Sequence, residues 1–164
     1  MGANGPLRHG RGLLRAGSLL FLLALLVGVA VPRFAVPRLG LSAHLLGVVQ
    51  GIFLLVLGLL WPRLSLAPTP SRVGCWLAGY GCFAAWSANL LAGVWGAGGA
   101  LLPLAAGTAR GSGLQEAVIA VLLRSAAASL LATSGLVLWG PRAPAAETAG
   151  GSPGRDQSTG PRAP

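Results

Sequence analysis

The sequence predicts an all-α membrane protein, a bundle of four transmembrane helices with both termini in the cytoplasm. Three observations lead there. Hydrophobic residues fill 54% of the 164 positions and charged residues only 9%, against about 25% charged in soluble domains. Mean hydropathy is +0.71, and a chain of this length cannot hide so much apolar surface in a core of its own. The compensating solvent is lipid. The apolar residues also fall into four runs, about 16–31, 41–60, 73–95 and 114–139, close to the roughly 20 residues a bilayer requires. Finally, Pro and Arg close these runs, as in Pro32-Arg33, Trp61-Pro62-Arg63 and Trp139-Gly140-Pro141-Arg142.

The charge balance points to the same solvent. All 12 basic residues are Arg, the acids are Glu116, Glu147 and Asp156, and the formal net charge is +9. The arginines stand singly or in pairs at the ends of apolar runs, which suits topology and anionic headgroups. No basic patch interleaved with aromatics occurs, so nucleic acid is excluded as a partner. Cys75 and Cys82 lie seven apart, about 10 Å along a helix, too far for a disulfide. Their spacing matches no common metal pattern, and they read as small packing residues.

Residues 1–15 form a Gly-rich basic leader with Arg8, Arg11 and Arg15; its His9 carries no expected role. The first span, 16–31, has the lead-in of a signal peptide, but three more spans follow and favour its retention. Phe34 to Gly40 is a connector. The second span, 41–60, ends in Trp61-Pro62-Arg63: an interfacial aromatic, a helix breaker and a positive charge. Ser65 to Arg72, with Pro68 and Pro70, reads as a polar turn. The third span, 73–95, is rich in Gly, Ala and Trp, the composition of a helix that packs on protein more than lipid. Gly96 to Gly113 is a loop whose Leu101-Leu102-Pro103-Leu104 could cap something. The fourth span, 114–139, precedes a tail, 143–164, of Gly, Pro, Ala and Ser that reads as disordered.

Arginines set the orientation. Arg8, Arg11, Arg15, Arg63, Arg72, Arg142, Arg155 and Arg162 fall on one side, and Arg33, Arg38 and Arg110 on the other. The positive-inside rule puts the first group in the cytoplasm. The expected location is the plasma or inner membrane, crossed several times.

The second span carries the most pointed polar residue. On a helix His44, Gly47, Gly51 and Gly58 fall within roughly 60° of one another, with Gln50 about 60° beyond Gly47. One face is thus small and smooth with a single imidazole. Small residues admit another backbone or a flat ligand, and a histidine inside a membrane is costly enough to suggest function. It can equally be a helix-packing residue. In the third span Trp86, Asn89 and Gly93 share a face, and Tyr80 lies on another. Asn89 beside Trp86 could orient a planar substrate, or Asn89 and Tyr80 could bind neighbouring helices. Glu116 and Arg124 lie eight apart in the fourth span, too far for a direct pair on a straight helix, so pairing with a neighbour or a second subunit is expected, with a catalytic role the alternative. Among these residues there is no nucleophilic triad, carboxylate pair or phosphate loop. An enzyme built this way needs a cofactor for the hard chemistry, and haem can be held by one axial histidine.

The segment Pro37-Arg38-Leu39-Gly40-Leu41-Ser42-Ala43-His44-Leu45-Leu46-Gly47, followed by Gly51 and the Trp61-Pro62-Arg63-Leu64 ending, resembles the hydroxylaminobenzene mutase family. Gly79-Tyr80-Gly81 through Trp86 to Pro103-Leu104-Ala105-Ala106-Gly107 agrees with it, as do Gln115-Glu116-Ala117-Val118 and Leu138-Trp139-Gly140. The resemblance covers Ala16 to Arg142 and extends to styrene oxide isomerase. It implies an enzyme that converts an aryl hydroxylamine to an aminophenol by moving a hydroxyl group within one molecule. It implies haem b with His44 as the metal ligand, Gly47 and Gly51 beside the cofactor, and Gln50, Trp86 and Asn89 around the reacting atoms. Apolar aryl substrates would enter from lipid, and the protein would be a homo-oligomer, in the relative a trimer. The chain departs from the pattern at Gln50, where an Asn is expected, at Leu46, where an acid is expected, and at Ala85, where an Asn would precede the Trp. The alternative from another class is a non-catalytic membrane protein, an assembly partner or carrier, with Glu116 and Arg124 paired across subunits.

Overall fold

The computed structural model describes residues 5–64 and 66–140. They form α1 (Gly5–Ala30), α2 (Pro37–Leu60), α3 (Pro68–Trp95), the single turn α4 (Pro103–Ala106) and α5 (Gly113–Trp139). Short 3₁₀ turns, Val31–Arg33 and Trp61–Arg63, follow α1 and α2. Among the described residues four helices are long and apolar enough to cross a membrane. The tail at 143–164 lies outside the described residues.

The long helices begin earlier than hydropathy indicates, and proline is a large part of the reason. Pro37 and Pro68 each occupy a first-turn position, where the missing N–H has no helical partner to lose and φ is already set. The connector from Pro37 on and the turn from Pro68 on are therefore helix. The leader is helix as well from Gly5 on, where α1 starts. α5 begins at Gly113 because Ser112 and Gln115 form a reciprocal capping box, which satisfies two orphan amide donors.

α1 packs along α2, α2 along α3, and α3 along α5. The α1–α2 contact is backbone against backbone. A Cβ on Gly10 would stand 2.7 Å from the Gly58 carbonyl oxygen, and one on Gly17 would stand 2.8 Å from that of Gly51. Gly10, Gly17 and Ala24 recur every seven residues along α1 and meet Gly58, Gly51 and Gly47 of the antiparallel α2. Small residues allow this approach, and close packing with its dispersion energy drives association where lipid removes the hydrophobic term.

α3 is the central helix, with 56% of its most apolar window buried against 17% in α1 and 22% in α5. Its Gly93 admits Phe34 and the backbone of Gly40, and its Gly81 admits Leu130 of α5. Trp61 is not an interfacial anchor. It is 1% exposed, lies over Gly74, and donates its indole N–H to Ser71 Oγ at 3.0 Å.

Candidate functional site

His44 sits at the α1–α2 contact, two turns into α2. Its Nδ1 lies 2.8 Å from the Ala24 carbonyl oxygen. A carbonyl only accepts, so this bond places the proton on Nδ1 and leaves the Nε2 lone pair outward. Gly28 makes room for the ring, because a Cβ there would stand 2.6 Å from Nδ1 and 2.8 Å from Cε1. Nδ1 held by a backbone carbonyl and Nε2 free is the arrangement that orients metal-ligating histidines. Among the described residues no three potential metal-ligating side chains cluster, so His44 stands alone, as an axial haem ligand can.

The glycine face beside it is filled. A Cβ on Gly47 would meet Trp86 Cδ1 at 2.6 Å and Ala24 Cβ at 2.7 Å; one on Gly51 would meet Phe21 at 2.9 Å. Gly47 and Gly51 therefore seat α1 and the Trp86 indole, which take the face a flat ligand would need. The chain fits haem at the donor and does not fit it on that face.

Trp86, Asn89 and Gly93 are all buried in α3. Trp86 is 8% exposed, so its ring is a core element wedged over Gly47 and not an open stacking surface. Its Nε1 is buried without a hydrogen-bond partner, and so is Gln50 Oε1. Buried polar atoms normally find partners. One is a donor on α3 and the other an acceptor on α2, and each lacks the partner that burial calls for. Asn89 is satisfied on both sides: Ser42 Oγ donates to its Oδ1 at 3.1 Å, and its Nδ2 donates to the Ala85 carbonyl at 3.0 Å. The second Nδ2 proton is left over.

The remaining candidates lie elsewhere. Tyr80 and Ser125 join hydroxyl to hydroxyl at 2.8 Å, tying α3 to α5 on the exposed side. Glu116 binds backbone: its Oε1 accepts from Gly98, Gly99 and Gly111, and its Oε2 from Ala100, at 2.8–3.2 Å. It organises the loop between α3 and α5. Arg124 is exposed on α5, and Glu116 is engaged with the loop of its own chain. His9 is not idle, since Nδ1 lies 3.2 Å from Ser71 Oγ and pins α1 to α3.

Sequence reading missed Gly28, Ala24 and Ser42, the three residues that set His44 and Asn89. The seven-residue recurrence of Gly10, Gly17 and Ala24 was a signal for Ala24, and Gly28 follows it one helical turn on. Ser42, two residues before His44, carried none.

The sequence matches the family model described as styrene oxide isomerase over residues 9–142. It is similar to hydroxylaminobenzene mutase HabB of Ectopseudomonas oleovorans, 51% identical over 132 residues that make up 80% of each chain. It is also similar to hydroxylaminobenzene mutase HabA of the same organism, 41% identical over 128 residues, covering 78% of this chain and 95% of that one. No solved structure matches the chain significantly.

Proposed function

The chain belongs to the styrene oxide isomerase family and is an isomerase, and from that premise we propose that it converts an aryl hydroxylamine to an aminophenol with haem b held by His44. The observation that carries this reading is the imidazole itself: Nδ1 committed to the Ala24 carbonyl at 2.8 Å, with Nε2 left as a ligand. The names of the two relatives support the substrate class.

The reaction is an isomerisation. The N–O bond breaks, a C–O bond forms at a ring carbon, that carbon loses its proton and the nitrogen gains one. Electrons balance without an external oxidant or reductant. Haem, when bound, supplies a Lewis-acidic iron for the nitrogen or oxygen of the substrate. The other roles belong to the protein. Gln50 Oε1, buried and unpartnered, accepts from the substrate's N–H or O–H. The Trp86 indole, wedged over Gly47, backs the site on the side of the migrating oxygen. Asn89, fixed by Ser42 and Ala85, offers its second Nδ2 proton to the same group. Apolar helices around them exclude bulk water, which keeps the oxygen within the molecule.

The protein is a homo-oligomer in the plasma or inner membrane with both termini cytoplasmic, and its apolar substrate arrives from lipid. The test is an absorption spectrum of the detergent-purified protein beside His44→Ala, with hydroxylaminobenzene turnover measured on both. A Soret band and aminophenol formation, both lost in the variant, are expected. Full turnover by a preparation that binds no haem would remove the cofactor from the reading and leave the isomerase.

A further inference from the structure

α1 and α3 run in the same direction, with His9 of one beside Ser71 of the other, and a cavity of about 550 Å³ lies between their outer faces. Gly12 and Ala16 of α1 form one wall, and Trp76, Gly79 and Phe83 of α3 the other. A Cβ built on Gly12 or Gly79 meets nothing within 4 Å, so the two glycines hollow the groove and are not pressed by a neighbouring helix. Trp76 is 72% exposed, an aromatic flank open to lipid.

The mouth of the groove is cationic. Arg8 lines it. Arg72, exposed on α3, precedes Trp76 by one turn on the same helical face. Arg11 and Arg15 follow Arg8 at i+3 and i+7 along the edge of α1. None of the cavity-lining residues is acidic. Both helices also present their N-terminal ends on this side, which adds positive potential. From Arg72 to Phe83 the groove descends about 16 Å at 1.5 Å per residue, comparable to one leaflet of a hydrocarbon core roughly 30 Å thick.

We propose that this groove is a site for an anionic phospholipid, with the phosphate between Arg8 and Arg72 and one acyl chain lying over Gly12 and Gly79 against Trp76 and Phe83. The site is separate from His44 and does not depend on the reaction assigned to it. A neutral arene would use the apolar floor and leave the arginines idle; a second copy of the chain would have to bring an acid to them. Glu116 is occupied by its own loop, and no other acid lies among the described residues.

The full-length protein in neutral detergent is offered phosphatidylglycerol and phosphatidylcholine of identical chains, and retained lipid is read by native mass spectrometry. Phosphatidylglycerol is expected to be held about tenfold better. The double variant Arg8→Gln/Arg72→Gln should equalise the two lipids, and Gly79→Leu should lose both. Equal retention by the wild type would overturn the proposal, as would undiminished phosphatidylglycerol binding by Gly79→Leu. A change of oligomer size in Gly79→Leu with lipid binding intact would assign the groove to a second copy instead. Should a variant not fold, the wild type decides. Trace brominated phosphatidylglycerol in excess phosphatidylcholine must quench tryptophan emission beyond its mole fraction, and Trp76→Phe must abolish that excess.

Discussion

Gly28→Ala tests the placement of His44 without touching the imidazole. The added Cβ would stand 2.6 Å from Nδ1, 2.8 Å from Cε1 and 3.2 Å from Cγ of His44. Contact at van der Waals distance needs about 3.5 Å, so the ring must retreat by nearly an ångström. A retreat of that size takes the 2.8 Å bond to Ala24 beyond the range of a hydrogen bond. The lost bond costs about 0.5–1.5 kcal/mol, while Ala in place of Gly28 in the last turn of α1 returns at most roughly 0.5–1 kcal/mol. Global stability is therefore expected to change little. The orientation of Nε2 changes, and removal of such an outer partner typically lowers metal affinity about 10–100-fold. Haem affinity measured by Soret titration should fall by that factor, with turnover following it and thermal stability nearly constant. Gly135→Ala is the control: a Cβ there meets nothing within 4 Å, so it should gain stability and leave haem and turnover alone. A Gly28→Ala protein with wild-type haem affinity and turnover would refute the role given to the Ala24–His44 bond.

Gly58→Ala places a Cβ 2.9 Å from the Gly10 carbonyl oxygen and 3.0 Å from the Leu14 backbone nitrogen. Backbone cannot rotate aside as a ring can, so α1 must move off α2; a loss of about 1–3 kcal/mol is expected, read as a lower midpoint of unfolding in mixed micelles, with His44 chemistry affected only through stability. Glu116→Gln keeps the side-chain shape and removes the charge from an acceptor of four backbone amides. Deuterium exchange at Gly98, Gly99, Ala100 and Gly111 should quicken about tenfold, the equivalent of one hydrogen bond lost, while exchange in the middle of α2 stays as it was; unchanged exchange in the loop would remove Glu116 from the role of organiser.

The sequence by itself determined the four apolar helices and which residue stands out on them. Those depend on local quantities, the length of each run and the rarity of an imidazole in it, and no neighbour is needed to read them. It also placed Trp86, Asn89 and Gly93 on one face, because helical periodicity is likewise local. The helix starts were harder to read, since hydropathy stops where polarity begins, whereas a helix can continue through Gly, Arg and a first-turn Pro. Which surface each face meets was decided only in the tertiary structure. The smooth side of α2, open to a backbone or a flat ligand by composition alone, is taken by Gly10, Gly17 and Ala24 of α1 and by the Trp86 indole. Trp61, an interfacial residue by pattern, is buried by its bond to Ser71, and Glu116 finds four amides that are 5 to 18 residues away in the chain. The imidazole shows the division most clearly. Its presence at position 44 is sequence; its fixed tautomer comes from a carbonyl 20 residues earlier and a glycine that leaves it room, because a hydrogen bond needs two groups brought together and only packing brings them.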